Sequence, residues 1–113
     1  MTTFNPTLTD KEREFMNGFL RVCGNSYEDH IDCWLDLEAD NYSCASLDEL
    51  QGIFPQYNKF QIGGFLGSLV NKQVLWFEDR KEERKFDRSY IDLYWITNKY
   101  IEYKVAEHNE KDN

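Results

Sequence analysis

The chain has 113 residues and a formal net charge of −8, with 41% apolar and 16% aromatic side chains. That length suits a single domain, and three Trp, seven Tyr and eight Phe provide a core that excludes a disordered chain. No apolar run approaches the roughly 18–20 residues that cross a bilayer, and the start (MTTFNPTLTDKE) lacks the basic and apolar regions of a signal peptide, which predicts a cytoplasmic protein with no membrane contact.

Thr9 followed by Glu12 is a capping-box pattern, and Phe15, Met16, Phe19, Leu20 and Val22 then recur at helical spacing. This predicts a helix over 10–23, closed by Gly24-Asn25. The stretch 26–44 reads as an acidic insertion. Tyr27, Ile31, Trp34 and Leu35 share a helical face with Ser26 as cap, while Ile31 to Leu37 also suits a strand. Glu28, Asp29, Asp32, Asp36, Glu38 and Asp40 cover the rest. The run Asp36-x-Glu38-x-Asp40 opens like a calcium loop, but it lacks the sixth-position glycine and has Leu47 where the bidentate glutamate belongs. A solvated acidic face is the simpler reading.

Ser46 with Glu49 forms a second capping box, opening a short helix with Leu47, Leu50, Ile53 and Phe54 on its buried edge and Pro55 as its stop. A turn over Gln56 to Asn58 leads to a helix over 58–72 with Asn58 as N-cap, so the two helices make a helix-turn-helix unit. The period then becomes strand-like. Val74 to Phe77 and Tyr90 to Ile96 flank the charged segment 78–88 (EDRKEERKFDR), which predicts a β-hairpin. A short helix over 98–105 completes one domain spanning 1–108, leaving 109–113 as a flexible tail.

Cys23, Cys33 and Cys44 are an odd number at spacings that fit no disulfide framework, so they read as reduced, buried thiols. With His30 they give C-x6-H-x2-C-x10-C, which lacks the closely spaced ligand pair of a zinc site. His30 and His108 have no nucleophile motif nearby in the sequence, and Gly63-Gly64 lacks the lysine of a phosphate loop. The expectation is a non-enzyme without metal or cofactor.

The order of helix, helix, helix, hairpin and short helix is that of a winged helix-turn-helix of the α+β class. It implies a three-helix core, a two- or three-stranded β-wing and a short C-terminal helix, with the acidic insertion between the first two helices. The segment Ile62-Gly-Gly-Phe-Leu-Gly-Ser-Leu-Val-Asn-Lys-Gln-Val-Leu75, with Leu93-Tyr-Trp-Ile-Thr97, resembles the recognition helix and wing strands of multiple-antibiotic-resistance-type (MarR-like) regulators and related small phage domains. Those commonly read G-x-L-S-S-L-x-K-K-G-L-V and L-T-x-x-G. Leu8-Thr-Asp-Lys-Glu12 is also similar to the start of that family. Gln73 stands where the family usually has the glycine that ends the recognition helix, and Tyr100 stands in place of a second glycine.

The resemblance implies a DNA-binding regulator of phage or mobile-element origin, a candidate homodimer, with double-stranded DNA as partner. Residues 1–54 hold three basic and eleven acidic side chains, whereas 55–104 hold nine basic and seven acidic, so the acidity lies away from the expected DNA face. That face would present Asn58, Lys59, Gln61, Gly64, Ser68, Asn71 and Lys72 from the helix and Arg80, Lys81, Arg84, Lys85 and Arg88 from the wing. Acids alternate with the wing cations, so a solubilising hairpin fits this segment nearly as well. Gly63, Gly64 and Gly67 weaken a helix, which suggests close packing, best suited to Gly63, or close approach of a ligand surface at Gly64 and Gly67. The alternative function is a protein-interaction module. Asp29, Asp32, Trp34, Asp36, Glu38 and Asp40 would imitate DNA or fill a basic cleft of a host polymerase, nuclease or defence protein, with Phe60 as a further contact. An insertion packed across Gly64 and Asn71 would exclude groove reading.

Overall fold

The structure, a computed structural model, describes residues 4–23, 30–40 and 43–111. In chain order these hold α1 (Asp10–Val22), α2 (Ile31–Asp40), β1 (Cys44–Ala45), α3 (Leu47–Ile53), α4 (Lys59–Asn71), β2 (Leu75–Glu78), α5 (Lys81–Arg84), β3 (Leu93–Ile96) and α6 (Asn98–Lys111). The architecture is mixed α+β, with one three-stranded antiparallel sheet in the order β1-β3-β2.

Three helices start on the same local device, in which the N-cap side chain accepts the third helical N–H and that third side chain accepts the N-cap N–H. Thr9 and Glu12 open α1 at 3.1 and 2.9 Å, and Ser46 and Glu49 open α3 at 3.2 and 3.0 Å. Asn58 and Gln61 open α4 at 2.8 and 2.9 Å, a full box where the sequence suggested only a cap.

The core gathers Phe15, Met16, Phe19 and Leu20 of α1, Leu50 of α3, Ile62, Leu66 and Leu69 of α4, and Leu75 and Ile96 of the sheet. Phe15 stacks between Phe54 and Phe65 at centroid distances of 4.9 and 5.2 Å. Where α1 meets Phe54, only a glycine fits: any side chain on Gly18 would collide with the Phe54 ring.

Within the expected insertion, residues 31–40 and 43–44 pack into the body of the fold. Ile31 to Leu37 is helical, and α2 packs against α6. Trp34 is 1% exposed, with its ring edge-to-face on Tyr100 at 5.5 Å, and Leu37 is buried beside it. The Ser43 carbonyl accepts the Ile96 N–H at 2.8 Å, continuing the pairing by which β1 extends the sheet beyond β3. The predicted cap at Ser26 and stop at Gly24-Asn25 lie outside the described residues.

The C-terminal helix is longer than its apolar pattern suggested. It passes 105 and continues to Lys111, so the expected tail is helical that far, because α2 gives Tyr100, Ile101 and Lys104 a surface on which to bury. Residues 112–113 lie outside the described residues. Between the strands, residues 79–92 do not form a simple hairpin loop. The short helix α5 and two turns occupy the segment, and the 90–92 part of the expected strand is unpaired.

At the end of α4, Gln73 takes φ 62, the left-handed conformation that lets the chain turn directly from helix into strand. Its carbonyl accepts the Thr97 hydroxyl at 2.7 Å, and its side-chain oxygen accepts from Lys99 at 2.8 Å. A glycine at this position would meet the same backbone requirement without the Cβ strain.

Candidate macromolecule-binding surface

Helix α4 buries Ile62, Leu66 and Leu69 and turns Lys59, Phe60, Gln61, Gly63, Gly64, Gly67 and Asn71 outward. Methyl groups on Gly63, Gly64 or Gly67 would have no neighbour within 4 Å. The close packing expected of Gly63 is therefore absent among the described residues, and the glycine that serves such packing is Gly18. Because α2 lies against α6, it leaves Gly64 and Asn71 uncovered.

Several polar residues assigned to this face have structural work instead. Glu12 is buried, and its carboxylate accepts from Thr9 N–H at 2.9 Å, Ser68 Oγ at 2.7 Å and Lys72 Nζ at 2.7 Å. Burial by itself would raise its pKa, but the bonds from Lys72, Thr9 and Ser68 outweigh that and hold it at about 2. Ser68 and Lys72 are thus drawn sideways to α1. Asn58 and Gln61 use their amide oxygens in the α4 cap. Lys59 is exposed and pairs with Asp48 at 3.1 Å.

The cations of the 79–92 loop are also largely occupied. Arg80 reaches Glu78 at 3.3 Å and lies 5.5 Å from the Tyr90 ring centre, while Lys85 pairs with Glu82 at 2.9 Å. Arg84 meets Asp92 at 2.8 Å, and the same Asp92 oxygen accepts the Arg80 backbone N–H at 2.8 Å. The Arg84 bond and then the Arg80 N–H hold the Asp92 carboxyl below the usual carboxylate range. These contacts tie α5 back to the root of β3. Among the described residues, Lys81 and Arg88 alone of the five have no ion pair. Three of the five cations expected to grip phosphate thus sit in ion pairs.

What the loop exposes instead is aromatic. Phe86 is 92% exposed, with Tyr90 and Ile91 also open, and Phe60 on α4 is 90% exposed. Sequence reasoning passed over Phe86, although a lone aromatic inside EDRKEERKFDR was a readable signal. A groove beside α4 is lined by Tyr57, Gly64 and Phe65 among others.

Part of the acidic surface expected to bind protein lies within the described residues. Asp32, Asp36 and Glu38 are exposed on α2, but Asp29 and the side chain of Asp40 lie outside the described residues. Trp34 is no surface anchor, because it belongs to the core. The run Asp36-x-Glu38-x-Asp40 lies on a helix, which cannot wrap an ion as a calcium loop does. Among the described residues, no three His, Cys, Asp or Glu side chains could hold a metal ion together. Burial, then the neighbouring Cys44 and Glu49, pushes the Cys23 thiol up to about 12, and burial followed by Glu49 raises Cys44. Protonated thiols are poor nucleophiles.

No family model, curated protein or solved structure matches the chain. Among the described residues, no helix is long and apolar enough to cross a membrane.

Proposed function

We propose that this chain is a winged helix-turn-helix module that binds a protein partner through the outer face of α4. The helix pair α3–α4, the sheet order and the β2-loop-β3 segment support the winged-helix reading, as does the resemblance to MarR-like regulators. The observation that carries the function is Phe60. A ring 90% exposed at the start of α4 leaves a large apolar surface in water, and covering it with a partner gains roughly 2–3 kcal/mol. The uncovered backbone at Gly64 and Gly67 then allows the partner a close approach.

Electrostatics favour the same partner class. A chain of net charge −8, with most wing cations already paired, offers little to a phosphate backbone. It suits a protein with a basic rim around an apolar pocket. Photocrosslinking from position 60, against a control at exposed Glu102 of α6, tests this in lysate of the expressing cell. The expected result is a discrete protein adduct from position 60 alone, and about tenfold or greater loss of affinity for that partner in Phe60→Ala.

DNA binding is the second reading, favoured by the open positions of Gln61, Gly64 and Asn71 on α4 and by Lys81 and Arg88, which have no ion pair among the described residues. With two free wing cations its affinity for random duplex would have a log–log salt slope near about −2. Fluorescence anisotropy at low salt separates the readings. Salt-dependent duplex binding without a position-60 protein adduct overturns the first and supports the second.

A further inference from the structure

The outer edge of the sheet carries a second interaction surface, separate from α4's outer face. Thr97 N–H donates to the Val74 carbonyl at 3.0 Å. By the two-residue alternation of an antiparallel ladder, Trp76/Trp95 and Glu78/Leu93 are then hydrogen-bonded pairs, while Leu75/Ile96 and Phe77/Tyr94 are not. The N–H and C=O groups of Leu75 and Phe77 therefore point away from β3, toward an edge that no strand covers among the described residues. Side chains of both sheet faces meet there. Trp76 projects to one face and Leu75 and Phe77 to the other, yet all three line one groove of about 460 Å3 with Val70 and Thr97. Trp76 is 46% and Phe77 43% exposed. Edge strands are usually guarded by charged side chains, proline or a bulge; β2 (LWFE) has no proline or bulge, and the carboxylate of its one charged residue, Glu78, accepts from Trp95 Nε1 at 2.8 Å and from Arg80 at 3.3 Å.

We propose that this edge pairs with the same edge of a second copy, antiparallel and two-fold symmetric about Trp76. This register sets Leu75 of each copy opposite Phe77 of the other and uses all four outward backbone groups of each strand. It also continues the Trp76–Trp95 stack, with centroids 5.7 Å apart, into a row of four indoles across the joined sheet. Charge complementarity selects a second copy as the occupant. Lys99, held at the Gln73 end of the edge by a 2.8 Å bond, meets Asp79 at the far end of the other copy, and the two-fold axis makes that pair twice. An unrelated apolar strand would satisfy the backbone but leave both charges unmatched.

Sedimentation equilibrium on the full chain, from low micromolar to near-millimolar concentration, tests the proposal. The wild type forms a dimer, and Trp76→Lys weakens it at least about tenfold by placing like charges on the axis. Lys99→Glu and Asp79→Lys each weaken self-association, while their equimolar mixture forms a heterodimer tighter than either parent. That mixing result does not depend on the Trp76 variant folding. A chain that stays monomeric throughout overturns the proposal. So does a dimer indifferent to Trp76→Lys, or a mixture no tighter than its parts.

Discussion

At position 12 one carboxylate holds three partners from two helices. It caps α1 through Thr9 and reaches Ser68 and Lys72 of the α4 segment, which lie 56 and 60 residues further along the chain. Its pKa falls from the ordinary 4.5 to about 2 on folding, so its stabilisation is full above about pH 4.5 and is lost as the pH falls toward 2. A shift of that size corresponds to on the order of 3 kcal/mol. Glu12→Gln is expected to lower stability at neutral pH by about 2–3 kcal/mol and to flatten the acid side of the profile. Urea unfolding across a pH series measures both effects, and an unchanged acid slope would count against the assignment. Gln73 offers the opposite experiment. At φ 62, Gln73→Gly is expected to raise stability by about 0.5–1 kcal/mol, read as a higher melting temperature, although the side-chain oxygen that accepts from Lys99 is removed. The Thr9–Glu12 box was readable because its partners are three residues apart. The link from Glu12 to Lys72 was not, because only folding brings them together.

Among the elements, α4 shows where helical periodicity suffices and where it does not. Its buried face follows from the spacing of Ile62, Leu66 and Leu69, as expected. Its glycines were harder to assign, since a bare position reads alike in sequence whether it meets a neighbouring ring or open solvent. Gly63→Ala, Gly64→Ala and Gly67→Ala place methyl groups in open space, so each is expected to stabilise the helix by about 0.5–1 kcal/mol. If the outer face of α4 docks a protein, Gly64→Ala and Gly67→Ala weaken that complex while raising the melting temperature. Calorimetry with partner titration reads the two effects separately. In the 79–92 loop the alternating charges predicted neutrality correctly. Which cation meets which acid depended on Asp92 turning back under α5.

For the molecule as a whole, α2 decides how the N-terminal half joins the rest. Trp34 and Leu37 seat it on Tyr100 and Ile101 of α6, and β1 closes the sheet against β3. Trp34→Ala is expected to cost about 3–5 kcal/mol in urea unfolding, the penalty of a large core cavity, whereas a peripheral insertion would lose less than about 1 kcal/mol. Local chemistry written in the chain was enough for the capping boxes, the apolar stripes of α1 and α4, the β-rich runs flanking a charged segment, and the segregation of acid toward the N-terminal half. Each of these depends on residues a few positions apart. The burial of Trp34, the capture of Ser68 and Lys72 by Glu12, the pairing of the loop cations and the exposure of Phe86 depended on distant segments meeting. A side chain's neighbours, more than its type, determine whether it is core, brace or contact surface, and those neighbours exist only in the folded chain.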